Sequence, residues 1–376
     1  MKKICIVTAT RSEYGLLRWL IDEVKNDENL LLQLVVTGTH LSPEFGLTYK
    51  EIEKDGYQID EKVEIIMSSS TQEGVVKTMG VCSLGFADVF NRLRPDVIVV
   101  LGDRYELLPI CGAALVMNIP IAHIAGGDIT DGAIDNQIRN AITMMATLHF
   151  PGTNFSAERI KRMIGIEENV FVTGETNLDN FIKLEKITKE EIALKLNVSI
   201  DKPWILMTYH PETNKNLEYN LNTLQNILYL FSDLGDNFEF IVTGANSDFG
   251  GSQINMLLEE YCRNNSNTHF FTSLGQLIYV NILPHLYCMM GNSSSGIFET
   301  PFWKIPSINI GERQNGRQMC CNIISTKVDF ESIKASFELL SIPDFKKNLQ
   351  YVENFYGDGH SSERIKCEIK KYLYGK

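Results

Sequence analysis

Short aliphatic and β-branched runs recur along the chain, separated by amphipathic segments of helical character. Such runs are typical of strands in a parallel sheet that helices cover on both faces. They fall into two series, so we expect an α/β protein with two doubly wound, Rossmann-like domains and a ligand cleft between them. The first series comprises residues 4–9, 32–38, 97–102, 121–126, 148–152 and 170–174, and the second 204–210, 238–244, 269–273, 288–292 and 305–311.

The segment 177–202 has a polar helical pattern that ends in a turn, which is typical of a hinge. We therefore expect one Rossmann-like domain over 1–176 and a second over 203–350. The closing segment, 351–376, predicts a helix that packs back across the domains.

Composition argues against several partners. The net charge of −12 disfavours a nucleic-acid surface or an anionic membrane. The eight cysteines form no CxxC pair, which indicates reduced thiols. The basic start MKKICIVTATR predicts a first strand rather than a signal peptide, and no apolar run approaches the roughly 18 residues of a membrane span. We expect a soluble cytoplasmic protein.

Polar residues follow several of the predicted strands, at the edge where open α/β sheets bind ligands. In the first half, GDRYE places Asp103 and Arg104 at a strand end, and GGDITDGAID adds Asp128, Asp131 and Asp135. Such carboxylates either cap turns or work as acid and base, because neighbouring carboxylates push each other's pKa values apart. Asp131 followed by Gly favours an ordinary turn, whereas Asp128 is the stronger candidate for the cleft.

The second half repeats the pattern with different residue types. YHPET places His210 at a strand end, GNSSSG supplies Ser293 and Ser294, and GERQNGR supplies Arg313 and Arg317. The serines are suited either to capping a helix or to cradling phosphate. The arginines are either surface ion pairs or bidentate phosphate ligands, and Arg11 is a similar candidate in the first half.

Cofactor motifs are absent from the sequence. No GxGxxG follows a predicted strand, so a dinucleotide is not indicated. His123 and Asp128 are too generic a pair to define a metal site.

Nine motifs in this order resemble the hydrolysing UDP-N-acetylglucosamine 2-epimerases of bacterial sialic and legionaminic acid synthesis. They are TATRSEYGLL, VVTGTHLSPEFGLTYKEIE, LGDRYE, GGDITDGAID, YHPET, TGANSD, SLGQL, GNSSSGIFE and NIGERQNGR. The resemblance implies the two-domain GT-B fold, with the nucleotide bound mainly by the C-terminal domain. It also implies conversion of UDP-GlcNAc and water to N-acetylmannosamine and UDP, by anti elimination to a glucal and hydration, without NAD or an obligatory metal.

Residue roles follow from the same resemblance. Ser293 and Ser294 would hold phosphate, Glu299 would hold the ribose hydroxyls, and the serines would also cap their helix. Asn246 and Arg313 would flank the diphosphate and the sugar.

In the N-terminal domain, Arg11 would reach the phosphates, and Arg104 is counted with the substrate-binding residues. Asp103 and Asp135 match catalytic carboxylates, and His210 matches a histidine at the sugar–phosphate region. A homodimer or homotetramer is expected.

Two positions depart from the family pattern. Ala125 stands where relatives carry His or Glu, and Asn140 follows Arg139 where relatives have His. Neither Ala nor Asn can act as a base near pH 7, so Asp128 is the candidate for the missing role. The changed sugar-facing wall makes a different substrate plausible, such as the UDP-linked 2,4-diacetamido-2,4,6-trideoxy sugar.

Three other functions stay open. A GT-B glycosyltransferase would share the fold and the nucleotide loop. A non-hydrolysing 2-epimerase would keep UDP on its product. A nucleotide-sugar binder that has lost catalysis would bind UDP without turnover, and Ala125 and Asn140 keep that possibility open.

Overall fold

The computed structural model describes residues 1–67, 71–129, 134–246 and 248–375. The turn predicted at Asp131 lies outside the described residues. The chain divides into two compact units. Unit 1 comprises Met1–Asn180 and the residues from Tyr356 onward, and unit 2 comprises Phe181–Phe355.

Unit 1 is a parallel sheet covered by helices on both faces. Its strands are β1 (Lys2–Thr8), β2 (Leu30–Thr37), β3 (Glu61–Val63), β4 (Val97–Leu101), β5 (Ile121–Ile124) and β6 (Leu148–Phe150). Its helices are α1 (Arg11–Lys25), α2 (Tyr49–Lys54), α3 (Gln72–Leu93), α4 (Leu107–Val116), α5 (Asp135–Met145), α6 (Asn154–Ile164) and, at the end of the chain, α16 (Ser361–Tyr374).

Unit 2 repeats this architecture. Its strands are β7 (Trp204–Thr208), β8 (Glu239–Thr243), β9 (Thr268–Phe271), β10 (Leu286–Gly291), β11 (Ser307–Ile310) and β12 (Ile323–Thr326). Its helices are α7 (Asn180–Lys183, beginning at the last residue of unit 1), α8 (Lys189–Leu196), α9 (Leu217–Leu234), α10 (Gly251–Asn264), α11 (Gly275–Ile282), α12 (Ser295–Phe298), α13 (Thr300–Trp303), α14 (Phe330–Leu339) and α15 (Pro343–Asn348).

Both sheets reverse their strand order at one point. The order is β3-β2-β1-β4-β5-β6 in unit 1 and β12-β11-β10-β7-β8-β9 in unit 2, with parallel pairing throughout. The connections therefore leave in opposite directions from β1 and β4, and from β7 and β10. Each reversal opens a crevice beyond the carboxyl ends of those strands, which is where doubly wound folds bind ligands.

One of the predicted strands is not a strand in the structure, and two strands of the structure were not predicted. The run 170–174 forms a single bridge, between Val170 and His149, and the N–H of Thr173 donates to the carbonyl of Pro151, just past β6. Gly174 then packs against Gly357, and the N–H of Glu175 donates to the carbonyl of Tyr356. The missed strands, β3 and β12, are short edge strands without a long apolar run.

The last helix is packed against the first. Ile365 and Ile369 of α16 lie in the same apolar cluster as residues of α1. Lys370 bonds Asp27, and both oxygens of the Asp179 carboxylate accept backbone N–H groups at the start of α16. Capping and burial together hold this helix on unit 1.

Gly127, directly after β5, has a positive φ of 80°, and a Cβ there would clash with the carbonyl oxygen of Ser156. Gly15 lies inside α1, and nothing would contact its Cβ within 4 Å. We predict that Gly127→Ala lowers the free energy of unfolding by at least ~2 kcal/mol, while Gly15→Ala changes it by less than ~1 kcal/mol, in the stabilising direction. Urea denaturation of both variants measures this, and equal effects would contradict it.

Candidate functional site

Arg139 contacts two of the predicted catalytic residues, Asp103 and Asp128, at the carboxyl edge of the unit 1 sheet. It lies in α5 and its side chain is largely buried. Its guanidinium donates to the carboxylate of Asp103, which follows β4, and to the main-chain carbonyl of Asp128, at 2.9 Å. Burial raises the pKa of Asp103; Arg139 opposes this shift, and the nearby Asp135 and Asp128 add to it. The pKa of Asp103 is therefore shifted upward, toward the pH at which a carboxyl group can both accept and donate a proton.

The loop that carries Asp128 has little freedom. The Ser156 hydroxyl donates to Oδ1 of Asp128 at 2.5 Å, and Arg159 donates to the carbonyl of Gly127. Gly126 lies against the ring of His123, where even a Cβ would be tight. Hydrogen bonds therefore hold both the side chain of Asp128 and the main chain of the residue before it.

The two departures from the family pattern lie in the same unit. Ala125 directly follows β5 and has a φ of 59°, so its backbone is left-handed, and its methyl group offers no proton. Asn140 is in α5, and its Oδ1 is buried without a hydrogen-bond partner among the described residues. Asp135 is the first residue of α5. Two carboxylates, Asp128 and Asp135, lie near enough to Asp103 to raise its pKa.

Two arginines of unit 1 that were predicted to bind the substrate are paired with carboxylates. Arg104 donates twice to the fully buried Glu106, at 3.1 and 2.6 Å. Arg11 is exposed and donates to Glu51 of α2 at 2.9 Å. Glu13 accepts the N–H groups of Ala9 and Thr10, and burial raises its pKa to about 7.

His123 is buried, and both of its ring nitrogens make hydrogen bonds within the protein. Its Nε2 faces the carbonyl of Gly102 at 2.8 Å, which requires a proton on Nε2, so Nδ1 accepts from the Thr143 hydroxyl at 3.2 Å. Burial lowers its pKa to about 4. The ring therefore stays neutral near pH 7 and anchors the residue that precedes Asp103.

His210 anchors the corresponding reversal in unit 2. Its N–H donates to Oδ1 of Asn292 and its carbonyl accepts from Nδ2 of the same side chain, both at 2.7 Å. Its Nδ1 accepts the N–H of Asn246 at 3.1 Å, so the neutral ring carries its proton on Nε2. Burial, with a smaller contribution from Arg313, lowers the pKa of His210 to about 4.

The serine loop borders a cavity of about 340 Å³. The cavity lies at the carboxyl edge of the second sheet and is lined by Thr208, His210, Thr243, Gly244, 272–276, Tyr279, Ser293 and Ser295. Ser294 occupies the N-cap position of α12, but its side chain makes no capping hydrogen bond. The expectation that the serines cap their helix is therefore wrong for Ser294.

Glu299 and Arg313 flank this region. Glu299 accepts a hydrogen bond from the Tyr279 hydroxyl. Arg313 donates to the carbonyl of Asn292 at 3.2 Å, and burial lowers its pKa. Arg317 lies instead over the ring of Phe298, 4.6 Å from its centroid. Asn246 donates its side-chain amide to Asp248 at 2.6 Å.

Sequence patterns had missed two residues that organise these sites. Arg139 was noted only as the neighbour of Asn140, although its i, i+4 spacing from Asp135 on a helix is a usable signal. The sequence pattern gives no role to Asn292, which precedes the serines. Its tie to His210 joins positions 82 residues apart in sequence, and no local pattern reveals such a contact.

Within the residues that the structure describes, no group of three His, Cys, Asp or Glu side chains is arranged to hold a metal ion. No helix there is both long and apolar enough to cross a membrane.

Known proteins resemble this chain along almost its whole length. A family model described as UDP-N-acetylglucosamine 2-epimerase matches residues 22–370. The chain belongs to this family. A hydrolysing GDP/UDP-N,N'-diacetylbacillosamine 2-epimerase from Campylobacter jejuni is 41% identical over 350 residues, covering 92% of this chain and 89% of that protein. A hydrolysing UDP-N,N'-diacetylbacillosamine 2-epimerase from Legionella pneumophila is 32% identical over 365 residues, covering 97% and 94%.

A solved structure agrees with the fold. UDP-GlcNAc 2-epimerase from Neisseria meningitidis, bound to UDP-GlcNAc, superposes with a TM-score of 0.80 at 19% identity, covering 98% of this chain and all of that one. The family and the two-domain, GT-B-type α/β fold predicted from the motifs are thus confirmed, and the protein is an enzyme of this family.

Three buried histidines make unit 1 of this epimerase sensitive to acid. Burial lowers the pKa values of His40, His123 and His149 to about 4, against ~6.5 in an unfolded chain. Between these values the unfolded state binds more protons, so stability falls as the pH falls. Glu13 acts oppositely, because it stays protonated in the fold up to about pH 7. We predict a net loss of ~2–4 kcal/mol in unfolding free energy between pH 7 and pH 5.

Urea denaturation across this pH range measures the loss. His149→Gln removes one titrating group and should reduce the slope of stability against pH, whatever it does to stability at pH 7. An unchanged slope would show that His149 is not held neutral.

Proposed function

We propose that this enzyme hydrolyses a UDP-2-acetamido sugar with inversion at C2, releasing UDP and the free manno-configured sugar. Two sugars are candidates: N-acetylglucosamine and its 2,4-diacetamido-2,4,6-trideoxy analogue, which is N,N'-diacetylbacillosamine. The names of the relatives from Campylobacter and Legionella favour the second. The changed residues Ala125 and Asn140 support a sugar-facing wall different from that of N-acetylglucosamine enzymes.

The observation that carries the proposal is the carboxylate group around Arg139. Elimination removes the proton at C2 and breaks the bond between C1 and the phosphate oxygen, so that UDP leaves with the bonding electrons. Hydration then places hydroxyl on C1 and a proton on the opposite face of C2. Both steps need groups that exchange protons near neutral pH, and the raised pKa of Asp103, beside Asp128 and Asp135, suits that need.

Unit 2 is the proposed nucleotide site. Its cavity of about 340 Å³ falls in the range of small-molecule pockets, ~300–1,000 Å³. Within the described residues Arg313 makes no salt bridge, so a diphosphate would compensate a cation that no carboxylate neutralises. Ser293 and Ser294 offer hydroxyl groups, and Glu299 offers a carboxylate to the ribose. His210 contributes a neutral N–H donor.

Proton NMR in D2O tests the reaction and its substrate together. The purified protein is incubated separately with UDP-GlcNAc and with UDP-2,4-diacetamido-2,4,6-trideoxyglucose. We expect free manno-configured sugar with deuterium at C2, together with UDP, and faster turnover of the diacetamido substrate. Product that retains UDP would identify a non-hydrolysing epimerase, and unchanged spectra despite UDP binding would favour a transferase or a non-catalytic binder.

Asp103→Asn should separate chemistry from binding. The amide cannot exchange the proton, so we predict that turnover falls at least ~100-fold. UDP affinity, measured by calorimetry, should stay within twofold, because the nucleotide residues lie in the other unit. Full activity in Asp103→Asn would remove this residue from the mechanism.

We also propose that two copies of the enzyme associate through α3 and α4. Helix α4, LLPICGAALV, has no charged residue, and its Leu115 and Val116 are 52% and 81% exposed. On the adjacent α3, Val76 and Leu84 are 66% and 74% exposed. A helix that is apolar on all sides is normally covered, and an uncharged face suits contact between chains that each carry a net charge of −12.

The double variant Leu84→Glu, Val116→Glu should therefore be monomeric. Light scattering coupled to size exclusion should give twice the 42.6 kDa chain mass for the wild type and the single mass for the variant. Leu194→Glu is the control, because Leu194 is 84% exposed on α8 of unit 2. A monomeric wild type, or a double variant of unchanged mass, would contradict this interface.

A cytoplasmic location completes the proposal. All eight cysteines are free thiols, and Cys321 is exposed. A reducing compartment would keep them in that form.

A further inference from the structure

Asn292 occupies the strand-order reversal of unit 2. It directly follows β10, beside the loop that follows β7, and is 0% exposed. Its side-chain amide makes the two 2.7 Å hydrogen bonds to the N–H and the carbonyl of His210. Because the amide both donates and accepts, only one orientation of its oxygen and nitrogen satisfies His210. The amide therefore joins these two loops in a fixed register.

The backbone of Asn292 holds a third loop. Its carbonyl accepts Nη1 of Arg313 at 3.2 Å and Nε2 of Gln314 at 2.7 Å, both from the segment after β11. Through His210, whose Nδ1 accepts the N–H of Asn246, the loop after β8 is tied as well. Four loops at one sheet edge thus meet at a single buried residue and its partner.

We propose that Asn292 is a positioning residue for nucleotide binding, which holds the loops of His210, Ser293 and Arg313 in the arrangement that UDP requires. This inference rests on the proposed nucleotide site of unit 2. Its physical basis is preorganisation, since loops that are already ordered lose less conformational entropy when a ligand binds. Asn292 acts through its neighbours, because its own amide is committed to the backbone of His210.

Asn281 provides a matched control in the same unit. It lies in α11, is 3% exposed, and also clamps two main-chain groups of another segment. Its Oδ1 accepts the N–H of Ile187 at 3.3 Å and its Nδ2 donates to the carbonyl of Glu185 at 2.9 Å. Replacing either asparagine by alanine leaves buried backbone groups without partners, which destabilises the fold in both cases. Of the two, only Asn292 is hydrogen-bonded to the loops that carry His210 and Arg313.

Calorimetric titration with UDP separates the two roles, using full-length wild type, Asn292→Ala and Asn281→Ala below their unfolding temperatures. We expect the Kd for UDP to rise at least tenfold in Asn292→Ala and to stay within twofold in Asn281→Ala, with similar losses in Tm. Asn292→Asp keeps the volume and the acceptor for His210 N–H but loses the donor. It should weaken UDP at least threefold, and it carries the test where the alanine variant does not fold.

A second readout follows the imidazole of His210 by NMR. In Asn292→Ala its pKa should rise from about 4 toward 6.5 as the ring gains solvent, whereas Asn281→Ala should leave it unchanged. Unchanged UDP affinity in the Asn292 variants, or an equal loss in Asn281→Ala, would overturn the positioning role alone. A wild type that binds no UDP would overturn the nucleotide proposal on which it rests.

Discussion

Burial concentrates the polar side chains of the two candidate sites at the carboxyl edges of the sheets. Helices cover both faces of each sheet, so the strands carry mostly apolar side chains, and the buried Glu239 of β8 is paired with His269 of β9. At the reversal of strand order, however, main-chain groups leave the ladder and need new partners. His123 supplies one for Gly102 in unit 1, and Asn292 supplies two for His210 in unit 2. The same hydrogen bonds that satisfy the fold therefore position the side chains of the two candidate sites.

This dependence explains why the histidines at the two edges are neutral. In each ring, Nδ1 accepts a hydrogen bond: that of His123 from the Thr143 hydroxyl, and that of His210 from the N–H of Asn246. Protonation would break that bond and place a charge in a buried site, so the low pKa values and the geometry have one cause. A neutral His210 offers an N–H to a ligand without adding a charge. The carboxylates beside Arg139 are the groups of unit 1 to which we assign proton exchange.

The strands and their polar ends were predictable because they depend on local pattern. Ten of the eleven apolar runs are strands, and Asp103, His210 and Arg313 follow strands as expected. The errors arose where a distant contact decides the outcome. The run at 170–174 forms only one bridge to the sheet, and Gly357, far along the chain, packs on Gly174. Ser294 has cap chemistry but makes no capping bond, and Arg139 and Asn292 matter through contacts that sequence spacing does not show.

The charged residues at the carboxyl edges of the two sheets indicate that the two units have different roles. In unit 1, Arg139 pairs with Asp103, and Arg104 pairs with Glu106. The charges of these two arginines are therefore already neutralised by carboxylates. In unit 2, Arg313 is exposed, donates to the carbonyl of Asn292 and makes no salt bridge within the described residues. A chain of net charge −12 repels a nucleotide diphosphate at long range, so binding needs a nearby cation that no carboxylate already neutralises. Arg313 meets that condition better than the paired arginines of unit 1, which is why the nucleotide is assigned to unit 2 and the proton transfers to unit 1.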